Sequence, residues 1–338
     1  MALQTSGQIS LNDIHVEAGG TSGSQVAIND SDVRSLISAS SASEMEFADF
    51  YGAANEVTLT SAGNVNGQAQ RKQILASSFI SAGGTLVIPS NIWVWSDSTG
   101  TAALTIDVAN CTIKNSGKII GKGSNGGGRG ANNSGSGGDA IKINSGITGV
   151  TIKNLSGGYI AGGGSGGARG HQAGSGGGAG GGRGGYGSNY EARGSSGALN
   201  AAGGSGRQWV SQNNGVGTVR AYGGGGGGAG GVGAASTKSN GGDINGGGGG
   251  GGGGRQLPGG SGSGGTGTHN NRTTPGYAGG SGGSAPSSSG YTRGQGGGGW
   301  GARGGDSTSY NRGSAGKAID DSGVSYTLTN SGTIYGGT

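Results

Sequence analysis

Thr151-Ile-Lys-Asn-Leu-Ser-Gly-Gly-Tyr-Ile-Ala-Gly162 decides the fold, because the chain contains this phrase more than once. Thr112-Ile-Lys-Asn-Ser-Gly-Lys-Ile-Ile-Gly121 precedes it, and Thr327-Leu-Thr-Asn-Ser-Gly-Thr-Ile-Tyr-Gly336 follows it. Each copy is led in by a short apolar run, at Ala103–Ile106, Ala140–Ile143 and Ala318-Ile319. Short β-branched alternations read as strands, and Asn-Ser-Gly reads as a corner. A unit of strand, turn, strand, corner and third strand cannot bury its apolar face alone. Stacked copies forming a β-solenoid are therefore expected, each placing an inward Ile or Leu over the next. Burial of each such side chain contributes ~1.5–3 kcal/mol.

Stacking has a consequence for what lies between the last two copies. That segment, Gly162 to Gly313, is dominated by glycine, of which the chain has 93 among 338 residues. If the copies stack, its ends leave and re-enter the solenoid as neighbours. A smaller Gly/Asn/Ser loop, Gly123 to Gly138, would emerge at the equivalent corner one rung earlier. Gly/Ser-rich chains ordinarily behave as flexible linkers, but a segment pinned at both ends is an excursion. Order in such a segment must come from the backbone, since fixing each residue costs ~1–2 kcal/mol. Packed polyglycine-II helices, with three residues per turn and outward-pointing N–H and C=O groups, supply that order. The unbroken run Gly246 to Gly254 fits a helix surrounded on all sides, and Gly223 to Gly228 is a shorter run of the same kind. Gly162 to Gly167 and Gly174 to Gly180, interrupted by Ser and Ala, fit edges. The scaffold glycines expected on this basis are Gly223, Gly228, Gly246, Gly250 and Gly254.

Three segments follow: 1–55, 56–161 together with 314–338, and 162–313. The fold class expected is mostly β and irregular, with a small N-terminal module, a short solenoid-like stalk and the inserted glycine bundle. In the first segment, Ile9-Ser-Leu-Asn-Asp-Ile-His-Val16 is echoed by Val26-Ala-Ile-Asn-Asp-Ser-Asp-Val33. Asn and Asp cap helices, so each unit reads as a strand turning into a short helix, with Ser31 to Ile37 the better of the two. This order, closed by Asp49-Phe-Tyr-Gly52, resembles a small N-terminal module of bacteriophage tail and tail-tip proteins. The resemblance implies virion attachment through residues 1–55. Val57–Thr60, Thr85–Ile88, Ile92–Trp95 and Leu104–Ile106 read as strands, and Gln68 to Ile80 as a stretch with helical character.

Composition narrows function. Only 29% of the residues are apolar, too few for a conventional core of this size. The single cysteine, Cys111, allows no intrachain disulfide and sits in an apolar alternation, as a small core residue would. No signal-peptide pattern and no membrane-length apolar run occurs. His15, His171 and His269 form no metal spacing, and the carboxylates show no pairing suited to glycoside cleavage. No catalytic residue, metal or cofactor is expected. Met1 to Glu56 carries eight acidic residues against Arg34, whereas 162–313 carries eleven Arg and Lys against three acidic residues. This suggests an acidic docking end and a basic working end.

Between the glycine runs lie stretches rich in Tyr, Trp, Arg, Asn and Ser, a composition suited to molecular recognition. The candidates are Tyr186, Tyr190, Trp209, Arg220, Tyr222, Tyr277, Tyr291, Arg293, Trp300 and Tyr310, some of which would pack at the base of the bundle. Alternating glycine runs and aromatic loops are similar to the distal tail-fibre adhesins of T-even-type phages. That resemblance implies a polyglycine-II scaffold whose loops bind a bacterial outer-membrane protein or lipopolysaccharide, at the distal end of a virion tail or fibre. Partners would be that receptor and other tail proteins, with no nucleic acid and no membrane insertion. A polysaccharide-degrading tailspike, an RGG-type nucleic-acid binder (from Gly181-Gly-Arg-Gly-Gly-Tyr-Gly-Ser188) and an ice-binding or structural glycine-rich protein are the alternatives.

Overall fold

The Thr-Ile-Lys-Asn phrases lie one above another in parallel register. Thr151 pairs with Thr112 on one side and Thr327 on the other, and Asn154 with Asn115 and Asn330. The computed structural model describes residues 3–37, 39–127, 134–168, 177–180, 199, 295–306 and 311–338. It also describes the backbone pairing of strands at 208–212, 218–222, 236–237, 266–269 and 272–275.

Four passages of the chain each contribute to all three sheets, the first with two strands on the second sheet and otherwise one strand on each, and a fifth adds one strand to two of them. The first passage is β1 (Glu56–Thr58), the hairpin β2 (Asn64–Val65) and β3 (Gln68–Lys72), then β4 (Ile74–Leu75). The second is β5 (Thr85–Ile88), β6 (Trp93–Trp95) and β7 (Leu104–Ile106). The third is β8 (Thr112–Asn115), β9 (Lys118–Ile120) and β10 (Ile141–Ile143). The fourth opens with β11 (Val150–Asn154) and β12 (Tyr159–Ala161). It is completed, beyond the long excursion, by β18 (Ile319–Asp320). Strands β19 (Tyr326–Asn330) and β20 (Thr333–Tyr335) form the last passage. The sheets run β1-β5-β8-β11-β19, β2-β3-β6-β9-β12-β20 and β4-β7-β10-β18. Every pairing in them is parallel except β2 with β3.

Inside the three sheets the apolar residues form columns. Leu86, Ile113 and Ile152 stack in the first sheet, Val94, Ile119 and Ile160 in the second, and Leu104, Ile141 and Ile319 in the third, all fully buried. Cys111 joins this core. Burial pushes its thiol up to about 11, so it is an inert packing group. The corner asparagines add a polar column. Asn115 Nδ2 donates to Asn154 Oδ1, and Asn154 Nδ2 to Asn330 Oδ1, each at 2.8 Å. Asn154 is 1% exposed, so Asn154→Leu takes the 2.8 Å acceptor from the buried Asn115 amide, which keeps only a 3.3 Å bond to Tyr159 O. An unsatisfied buried group costs ~1–3 kcal/mol, and the urea midpoint should fall accordingly, without a change in slope.

Both excursions leave at one corner, between the second and third sheets. Residues 121–140 run from β9 to β10, and 162–318 from β12 to β18. The stretch expected to have helical character is instead β3, β4 and a single 3-10 turn at Ala76–Ser78. Gln70, Arg71 and Lys72 pair with Trp93, Val94 and Trp95. This long-range pairing overrides the local pattern, and Gln73 at φ 47° breaks the run.

The N-terminal segment holds two short helices, α1 (Leu11–Glu17) and α2 (Ser31–Leu36), around Ile9, Ile14, Val33 and Phe50. No strand precedes either helix among the described residues. The better-formed helix is the first, contrary to expectation. Ser10 and Asp13 close a reciprocal capping box there, whereas Asp30 makes no side-chain cap to α2. The module touches the first passage where Gly19 and Gly83, at φ 100° and 83°, bring two backbones together.

Candidate receptor-binding site

The described glycine-rich runs form a layer held by backbone hydrogen bonds. Residues 162–168 are its centre, and every one of them is buried. Gly163, Gly164 and Ser165 donate their N–H groups to three different neighbours, Gly138, Ala179 and Ala302, at 2.8, 2.8 and 3.1 Å. Their carbonyls accept from three more, Gly316, Ser124 and Gly298, at 2.8, 3.0 and 2.8 Å. Bonds between one pair of runs recur every third residue. Gly121, Ser124 and Gly127 donate to Ala161, Gly164 and Gly167, and Ser165 and Ala168 donate to Ala302 and Gly305.

Such packing explains the glycine. A Cβ at Gly162, Gly163, Gly164, Gly166 or Gly167 would fall within 3.0 Å of backbone atoms of an adjacent run. None of the five has φ in the left-handed region, so close approach alone requires glycine. The run expected at an edge is therefore interior. The reason lies in its one side chain: Ser165 is fully buried, and its Oγ accepts from Gly304 N at 2.8 Å. Ser124 and Ser134 do the same work around Gly166, accepting its N–H at 2.8 Å and donating to its carbonyl at 2.6 Å. An interior run tolerates a small hydroxyl that finds backbone partners. Gly223, Gly228, Gly246, Gly250 and Gly254, expected as scaffold positions, lie outside the described residues.

One end of the layer is seated on the outer face of the second sheet. Trp300 is 0% exposed and packs with Leu199, Ala179, Trp93, Ile120 and Ala161. Asn66 Nδ2 donates to Leu199 O at 3.0 Å, and Gly301 N to Gly162 O at 2.6 Å. The Lys118 amine lies 4.9 Å from the centre of the Trp93 ring, and burial pushes it below the usual lysine range. Trp300 stands among the receptor contacts expected from the sequence. Its ring is enclosed instead, and it is a packing residue at the base.

The other end gathers the points from which most remaining segments depart. Gly127 N donates to Gly167 O at 2.9 Å, Ala168 N to Gly305 O at 2.9 Å, and Gly305 N to Gly296 O at 2.9 Å. Ser134 N reaches Asn311 O at 3.3 Å. Segments 128–133, 169–176 and 307–310, and the segment ending at 294, are thus bracketed by residues of a single end. Tyr291, Arg293 and Tyr310 belong to these segments and lie outside the described residues, as do Tyr186, Tyr190 and Tyr277. Trp209, Arg220 and Tyr222 fall on a hairpin of β13 (Gln208–Gln212) and β14 (Thr218–Tyr222), with Gln208 opposite Tyr222, Trp209 opposite Ala221 and Val210 opposite Arg220. Paired strands replace the irregular loop expected there. A second group in the excursion joins β15 (Ser236–Thr237), β16 (Thr266–His269) and β17 (Arg272–Pro275).

From the sequence, Asp306, Asn311 and Arg312 stand out only as members of the polar stretch Asp306 to Arg312, and Arg303 does not stand out. Arg303 and Asn311 are exposed, and Arg312 Nε lies 3.8 Å from Asp306 Oδ2 while its Nη1 donates to Gly304 O at 3.2 Å. Counting outward from a turn at Trp300-Gly301 would have placed them. Where the excursion re-enters the sheets, Asp139 accepts from Lys317 N at 2.7 Å, and Lys317 Nζ donates to Asp320 at 2.6 Å. Burial pushes the Asp139 carboxyl up, while the Lys317 bond holds Asp320 down. These carboxylates tie two returning runs together. Among the described residues no three His, Cys, Asp or Glu side chains gather as metal ligands, and no helix is long and apolar enough to cross a membrane.

Compared with known families, the sequence matches "Phage tail fibre adhesin Gp38" over residues 54–241. The chain belongs to that family of phage tail fibre adhesins. The match begins where the N-terminal module ends, spans all the passages before the excursion, and continues through β13, β14 and β15. No curated protein and no solved structure matches the chain. The adhesin is thereby a receptor-binding protein of a phage tail.

Proposed function

We propose that residues 162–313 of the adhesin form a polyglycine-II receptor-binding domain, carried on a β-solenoid stalk of 56–161 and 314–338. Residues 1–55 attach it to other tail proteins. The receptor is a bacterial outer-membrane protein or lipopolysaccharide, bound without covalent chemistry. The observation that carries this reading is the convergence of 128–133, 169–176, 307–310 and the segment ending at 294 on one end of the layer. The three-residue hydrogen-bond period within the layer supports the polyglycine-II assignment. Tyr and Arg on those segments supply rigid aromatic area and forked donors for a mixed polar surface.

Adsorption of the purified adhesin to host cells tests it, with lipopolysaccharide and outer-membrane protein as competitors. Replacing Tyr291, Arg293 and Tyr310 together by alanine should weaken adsorption at least tenfold. Tyr159→Ala, on the stalk, should leave it unchanged. Equal effects would remove this end of the layer from the site, and release of oligosaccharide from the cells would overturn recognition without chemistry.

A further inference from the structure

The N-terminal module carries a groove that the receptor-binding role does not use. It runs beside α1 and is lined by Leu3, Ile9, Asn12, Asp13, Val16 and Glu17. Leu3 and Ile9 form its apolar floor, and Val16 stands on it 45% exposed, among the most exposed large apolar residues described. Asp13 and Glu17 line the same groove on one turn of α1. Hydrogen bonds from Ser10 hold the Asp13 carboxyl below the usual range, so it is charged at neutral pH.

The charge of the whole module points the same way. Residues 1–55 contain seven carboxylates and one Arg or Lys side chain, Arg34. Arg34 is half-buried and engaged by main-chain carbonyls: its Nε donates to Asn29 O at 3.1 Å, and its Nη1 to Ser40 O and Ser43 O at 2.5 and 3.1 Å. The module has no other Lys or Arg to balance its surface. The same module of a second copy would bring the same negative charge, and nucleic acid or an anionic membrane would be repelled.

We propose that this groove seats a basic polypeptide segment of a partner tail protein, an apolar side chain entering beside Val16 and Lys or Arg side chains meeting Asp13 and Glu17. The inference rests on the reading of residues 1–55 as the virion-facing end. Opposite charge steers such an encounter and sets its orientation, and the apolar floor slows its dissociation.

The test uses phage particles lacking the adhesin, mixed with the full-length chain and pelleted, over a range of salt. Val16→Lys removes the apolar anchor and places a cation in the groove. The position is exposed and in the last turn of α1, where a cation is compatible with the helix. Val16→Leu keeps the apolar contact. The wild-type chain and Val16→Leu should pellet with the particles, less so as salt rises, and Val16→Lys should bind at least tenfold more weakly. All three should still adsorb to host cells, which reports folding independently of the groove. Undiminished pelleting of Val16→Lys would overturn the groove. A wild-type chain that adsorbs to cells but never pellets with particles would overturn the virion-facing reading itself, and the groove with it.

Discussion

Gly166→Leu should dismantle the glycine layer and abolish adsorption to cells, while Gly100→Ala leaves both intact. A Cβ at Gly166 would meet the Asn125 carbonyl and would lie 2.7 Å from Gly126 Cα, atoms of a neighbouring backbone that cannot rotate away. Inserting methylenes into a packed interior typically costs ~1–3 kcal/mol, and here the obstacle is main chain rather than a movable side chain. The damage would spread, because Gly166 also receives Ser124 and Ser134. Those contacts lock the outgoing and returning arms of the smaller excursion to the centre of the larger one. At Gly100 a Cβ meets only Ser98 Oγ, at 3.8 Å, and φ is not in the left-handed region. Limited proteolysis and cell adsorption, measured side by side, read the result. Protection and adsorption both preserved in Gly166→Leu would mean the layer is not held by close backbone approach.

Trp300→Ala should be the most damaging single truncation outside the core of the three sheets. Removing a large buried ring costs ~3–5 kcal/mol, and Trp300 is fully enclosed between the layer and the second sheet. The layer loses its seat on Trp93, Ile120 and Ala161, so the urea midpoint and the adsorption to cells should fall together. Trp300→Phe, which keeps most of the apolar volume, should recover much of both. Lost adsorption with unchanged stability would instead return Trp300 to the receptor contacts.

These two substitutions mark where reading the sequence succeeds and where it stops. The repeated Thr-Ile-Lys-Asn phrase carried enough local pattern for the passages to be aligned, and the observed register pairs the same residues. The corner from which both excursions leave followed from that alignment. Helical character at Gln68 to Ile80 did not survive, because β3 gains a parallel partner in β6 that no local signal announces. The greater strength given to α2 failed for a smaller reason: its Asp30 side chain accepts from Ala27 N instead of capping the helix.

For the glycine layer the division is sharper. The sequence by itself determined that the repeated phrases stack as rungs and that the segment between the last two is pinned at both ends, and it pointed to backbone contacts, which do hold the described runs. Side chains spaced along a strand encode their own neighbours, so a repeat of them can be read in one dimension. Only the tertiary structure decided that 162–168 is interior and that Trp300 is base rather than contact surface. It alone brought Gly127, Ala168, Gly305 and Asn311 to one end. A glycine run has no face, so the number of runs surrounding it is a property of the assembled layer.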